Sequence, residues 1–85
     1  MKKPRKYWSL HVTYPVRYYN QWSDRSIEAI VGRNSSASGM GAGKRDLSFD
    51  FRTKEGADRA FDKLNSRRED LVNNTHITTR EYETR

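Results

Sequence analysis

Residues 47–65 read LSFDFRTKEGADRAFDKLN. Leu47, Phe49 and Phe51 alternate with Ser48 and Asp50, the period of a strand with one buried face. Thr53 follows as a helix N-cap. Ala57, Ala60, Phe61 and Leu64 then fall at i, i+3, i+4 and i+7, one apolar helical face predicted to run to about Arg68. A one-faced strand leading into a one-faced helix must close over a thin core. Of the 85 residues, 33% are hydrophobic and 33% charged, which allows one small domain with one buried face per element.

Upstream, residues 7–13 form a second strand pattern. Trp8, Leu10 and Val12 alternate with Ser9, His11 and Thr13, and Pro15 stops the run. A loop over residues 14–22 holds Tyr14, Tyr18, Tyr19 and Trp22, with Arg17 among them. A helix is expected to start with Ser23 or Asp24 as its cap. Ser23 as cap sets Trp22 against Ile27 at hydrophobic-staple spacing, which places Trp22 in the core. Ile27, Ile30 and Val31 form the apolar stripe, and Gly32 or Asn34 ends the helix in a left-handed turn. Residues 35–43, SSASGMGAG, have poor strand propensity and fit a weak edge strand with glycines making the following turn. Downstream of the second helix, Asn73-Asn74 breaks the chain and residues 75–83 read as a last strand.

The order is strand, helix, weak strand, strand, helix, strand. That is the βαββαβ unit of the ferredoxin-like fold: α+β, a four-stranded antiparallel sheet with two helices on one face. Its central strands are the first and third, the two with the best apolar alternation here. The expected organisation is a basic arm at 1–6 and one domain at 7–85, with no repeat.

Residues 49–65 resemble the third strand and second helix of RNA-recognition-motif domains. Phe51, Ala57, Ala60, Phe61, Leu64 and Asn65 carry the resemblance. It implies this fold. That family stacks bases on outward aromatics of its third strand, where this chain has Asp46, Ser48 and Asp50. An alternative patch comes from the last strand, expected beside the first. His76, Thr78, Arg80 and Tyr82 on its outward side would join Tyr7 and His11, two tyrosines, two histidines and an arginine suited to stacking single-stranded bases.

Charge is asymmetric. Residues 1–33 hold seven basic and two acidic side chains, residues 34–85 ten and nine, and the net charge is +6. The excess points to acidic partners, nucleic acid or an acidic protein surface. Lys2, Lys3, Arg5 and Lys6 of the arm, with Arg17 and Arg33, are candidate phosphate contacts. Arg17, Tyr18 and Tyr19 of the aromatic loop are the expected main contact, being residue types that dominate binding hot spots.

Other chemistry finds little footing. SGMGAGKR at 38–45 lacks the first glycine and the final Ser or Thr of a phosphate-loop motif, although Lys44 and Arg45 can still touch a phosphate or an acidic side chain. There is no cysteine, and the two histidines have no ligand-spaced partners, so no metal or cofactor is expected. No apolar run approaches the roughly 18–20 residues that span a bilayer. No apolar segment follows the basic start, so a cytoplasmic location, host-cell cytoplasm for a viral protein, is expected without a signal peptide.

Three readings follow. One is a non-enzymatic module for RNA or DNA, or for a nucleic-acid-binding protein complex, acting as monomer or homodimer with no membrane or small-molecule substrate. Another rests on resemblance: in size and architecture the chain is similar to small phage and mobile-element proteins, anti-CRISPR proteins among them. That implies a stoichiometric inhibitor of a host defence protein, docking through the aromatic loop or the weak edge strand. The third is a metal-free ribonuclease using His11 or His76 as base and Arg80 to stabilise the transition state.

Overall fold

The computed structural model describes residues 5–84. Strand β1 (Arg5–Pro15) leads through a 3-10 turn (Val16–Tyr18) into helix α1 (Gln21–Val31). Strands β2 (Ala37–Gly41) and β3 (Lys44–Phe51) form a hairpin. Helix α2 (Lys54–Ser66), a second 3-10 turn (Arg68–Asp70) and strand β4 (His76–Thr84) complete the chain. The sheet is antiparallel in the order β2-β3-β1-β4. This is the expected α+β, ferredoxin-like architecture. β1, the most regularly alternating long strand, lies between β3 and β4. The Ser/Gly-rich β2 is an edge.

The alternation sorts the sheet into two faces. Leu10, Val12, Leu47, Phe49 and Ile77 point to the helices and are buried with Ile27, Val31, Ala57, Ala60 and Leu64. Thr53 caps α2 by accepting the Gly56 N–H at 3.1 Å. Gly32 ends α1 at φ 89°, donating to the Glu28 carbonyl, a conformation that glycine adopts without steric cost. Ala42 and Gly43 make the hairpin turn, both at positive φ.

The first half differs from the sequence expectation in three ways. First, β1 is longer at both ends. Arg5 and Lys6, expected in the arm, pair with Thr84 and Glu83, while Lys2 and Lys3 lie outside the described residues. Second, Tyr14 is a core residue on β1 rather than a loop aromatic. Third, α1 starts earlier. Asn20 is the cap, accepting the N–H groups of Trp22 and Ser23 at 2.8 and 3.1 Å. The Ser23 hydroxyl instead donates to the Tyr18 carbonyl at 2.8 Å. With this start Trp22 sits in the first turn, 62% exposed, and forms no staple. Tyr18 packs against the core in its place.

One polar network fixes this arrangement. The Tyr14 hydroxyl donates to Asp24 Oδ1 at 2.5 Å, and Arg45 donates to Asp24 Oδ2 from Nε at 3.1 Å and from Nη2 at 2.5 Å. It ties β1, α1 and β3 together. The Arg45 and Asp24 side chains are only 14% and 16% exposed. Removing the carboxylate leaves a guanidinium and a phenol unpaired in a largely dry site. Asp24→Ala should therefore cost about 2–4 kcal/mol in urea unfolding. Burial, then the hydrogen bond to Asp24, pushes the Tyr14 phenol well above its ordinary value. The folded state thus keeps this proton where the unfolded chain loses it, near pH 10. The stabilisation is complete below about pH 10 and declines as pH rises further. Tyr14→Phe should remove that alkaline decline from a stability–pH profile.

Candidate nucleic-acid interface

The sheet face away from the helices is open. Its rows follow from the register. Lys44 lies beside Pro15, then Asp46, Thr13 and His76 align, then Ser48, His11 and Thr78, then Asp50, Ser9 and Arg80, and finally Tyr7 beside Tyr82. The Tyr7 and Tyr82 rings stack with centroids 5.2 Å apart and an interplanar angle of 14°. The Tyr82 hydroxyl lies 3.3 Å from His11 Nε2, and the Arg80 guanidinium sits 5.9 Å from the Tyr82 ring centre. To reach from the Tyr7 row to His11, the Tyr82 ring must lie along the face at the level of Ser9. That accounts for the burial of Ser9 on an otherwise open surface. Tyr7, His11, Arg80 and Tyr82 therefore form one cluster, as their strand positions predict.

The neighbouring β3 half of the face is acidic. Asp46 accepts the Thr13 hydroxyl at 2.8 Å. Neither Asp46 nor Asp50 has an ion-pair partner among the described residues. The face is thus divided lengthwise, aromatic and basic along β1 and β4, with the carboxylates of Asp46 and Asp50 along β3 and Lys44 at its upper end. At its upper end Thr13, Pro15, Gly43, Lys44, Asn74 and His76 line a shallow depression of about 170 Å³.

The other expected contacts do not join this cluster. Residues 7 and 15 of β1 are about 26 Å apart at ~3.3 Å per residue, so the aromatic loop lies at the far end of the sheet. There Arg17 sits 5.0 Å from the ring centre of Tyr18, which is half-buried, so Tyr18 offers less contact than the sequence suggests. Tyr19 is 43% exposed, with the Arg45 guanidinium 4.9 Å from its ring. Arg45 is already held by Asp24, so the fold uses its charge. Arg33 lies 4.9 Å from the Phe51 ring on the helix side. Lys6 also leaves the open face, its Nζ lying 3.5 Å from Glu81. His11 and His76 sit diagonally on adjacent strands, and no group of three metal-capable side chains occurs among the described residues.

Sequence reasoning missed one exposed pair, Trp22 with the Arg25 guanidinium 5.8 Å from its ring. Asn20 was the available signal, because choosing it as the cap turns Trp22 outward.

The chain matches no protein-family model, and no curated protein matches it. No described helix is long and apolar enough to cross a membrane.

The exposure of Trp22 can be read in solution. Iodide should quench the wild-type emission readily. Trp22→Phe should leave only the half-buried Trp8 and a clearly shallower quenching slope. An unchanged slope would mean that Trp22 is covered.

Proposed function

We propose that this chain is a non-enzymatic binding protein that takes single-stranded nucleic acid on the open face of its sheet, along β1 and β4. The observation that carries the reading is the Tyr7–Tyr82 stack with His11 and Arg80 beside it on a face covered by no helix. Aromatic platforms hold unpaired bases, and adjacent cations hold the backbone. The resemblance to RNA-recognition motifs extends to the fold alone, since the aromatics here stand on β1 and β4 and carboxylates occupy the outward positions of β3. Asp46 and Asp50 repel phosphates, so the nucleic-acid backbone should follow the Arg80 side. Phosphates can also meet Lys44 at the upper end.

A second reading has its own support at the opposite end of the molecule. Tyr19 and Trp22 are exposed aromatics accompanied by arginines, a combination typical of protein hot spots. It favours docking to a nucleic-acid-handling protein, in the manner of a small phage-type inhibitor.

Fluorescence anisotropy separates the two. Labelled single-stranded RNA and DNA should bind more tightly than duplex DNA, and affinity should fall with salt by about one log–log unit or slightly less per phosphate contacted. Tyr7→Ala and Tyr82→Ala should each weaken binding about 5- to 150-fold, the equivalent of ~1–3 kcal/mol per stacked base. No binding at low salt would move the function to the Tyr19–Trp22 end. Cleavage of the RNA, lost in His11→Ala, would make the protein a ribonuclease.

A further inference from the structure

The two edges of the sheet differ in a way that makes them fit each other. Among the described residues β2 pairs only with β3, and β4 pairs only with β1, so each has one free side. All five β2 residues are exposed and none is charged, in a chain that is one-third charged. Natural edge strands are commonly guarded by charges, proline or a bulge. In residues 37–41, Ala-Ser-Gly-Met-Gly, neither charge nor proline guards the edge. In a two-residue hairpin the flanking pair, Gly41 and Lys44, is mutually hydrogen-bonded. Alternation then turns the backbone groups of Ala37, Gly39 and Gly41 towards β3 and those of Ser38 and Met40 outwards.

Charge complementarity selects the occupant. On the open face of β3 beside this edge, Asp46 lies opposite Gly39 and Lys44 opposite Gly41, and Asp50 follows just beyond the end of β2, two carboxylates to one ammonium. Gly39, the partner of Asp46, has no side chain to stand between that carboxylate and a strand laid on the edge. On the helix side Arg33 lies over Phe51 at the far end of β3, while Arg45 is already held by Asp24. β4 has the reverse pattern, His76 and Arg80 on the open face, Glu81 and Glu83 on the helix side. Thr78, Thr79, Arg80 and Glu81 are all exposed, so the helices do not overhang this edge. The directions agree as well. β2 runs with β1 and opposite to β4, so placing copies side by side in one orientation makes the β2–β4 contact antiparallel.

We propose that β2 receives the β4 edge of a second copy, giving head-to-tail association that extends the sheet with its open faces on one side. A head-to-tail contact between unlike surfaces leaves a free edge on each added copy, so the assembly grows past a dimer and stays open-ended unless the rotation between copies closes a ring. Pairing of β2 with β2 of a second copy is the competing geometry. It would bring together only neutral residues and leave both charge patterns unanswered. The short strand and the net charge of +6 make the association weak and concentration-dependent.

Sedimentation velocity of the full chain at low salt, with no nucleic acid present, tests this. The weight-average mass should climb with concentration past twice that of one chain, without a plateau at the dimer, and fall when salt is added. Ser38→Pro removes an outward-facing N–H and should return the single-chain mass, with far-UV circular dichroism checking that it folds. Arg80→Glu and the double variant Asp46→Lys, Asp50→Lys should each also stay single. Mixing those two should restore association, because each then meets an opposite charge. A single-chain mass for the wild type at every concentration overturns the proposal. So does association that survives Arg80→Glu, the signature of β2–β2 pairing, or a mixture that fails to associate. Nucleic-acid binding by single chains would leave the preceding functional reading standing in each of these cases.

Discussion

β1 is hydrogen-bonded on both sides, to β3 over eight residue pairs and to β4 over nine. Every other feature follows from the parity that this strand imposes. Its even-numbered residues face the helices and its odd-numbered residues face away, and the same division is copied into both neighbours by their register. A one-residue slip would turn Leu10, Val12 and Tyr14 to solvent and bury Tyr7, His11 and Thr13 against the helices. The core and the open face are therefore two outcomes of one pairing. Beyond Trp8, β1 leaves β3 behind and pairs with β4 alone, so Tyr7 and Tyr82 sit where the sheet narrows to two strands.

The parts of this fold that could be read from the residues are those fixed by local periodicity. β3 and α2 are legible because Leu47, Phe49 and Phe51 repeat every second residue and Ala57, Ala60, Phe61 and Leu64 repeat with the helix. The cluster of Tyr7, His11, Arg80 and Tyr82 is legible for the same reason, since a strand's parity assigns a face before any contact is known. Residues 14–22 resist such reading. Asn20, Ser23 and Asp24 are all competent caps, and their local energies differ little. The choice is made by groups distant in sequence. Asp24 must meet Tyr14 and Arg45, which requires α1 to begin at Gln21 and sends Trp22 to the surface. Tyr14 was hidden by its own chemistry: a tyrosine next to a proline reads as loop, yet its ring is buried and its hydroxyl satisfied. Lys6 shows the limit from the other side. Its charge was visible, but its face depended on β1 extending to Arg5.

Net charge is a poor guide to where this molecule can meet phosphate. Several of its cations serve the fold or sit over rings. Arg45 is held by Asp24, Arg33 lies against Phe51, and Lys6 is near Glu81. What distinguishes the open face is the arrangement of its few charges: Asp46 and Asp50 on β3 with Lys44 at one end, imidazoles and a guanidinium on β1 and β4. A uniformly positive face would attract any polyanion. A divided one suits the ligand proposed above, which carries charge along one side and flat rings along the other.

The same division gives the sheet a direction. Its acidic half ends at β2 and its basic half at β4, so copies added edge to edge alternate the two. Four strands at ~4.8 Å spacing repeat the Tyr7–Tyr82 platform about every 19 Å across such an assembly. Sheet twist turns successive platforms relative to one another, so a bound strand would wind rather than run straight. Binding to one copy would then raise the local concentration of the next site on the same strand, and weak edge contacts would suffice to make occupation cooperative. Edge pairing that is negligible between free chains becomes significant once a common ligand holds them side by side. On the proposed reading, the β2 edge without charge or proline, a liability in an isolated domain, would be the feature that lets one small platform serve a long polymer.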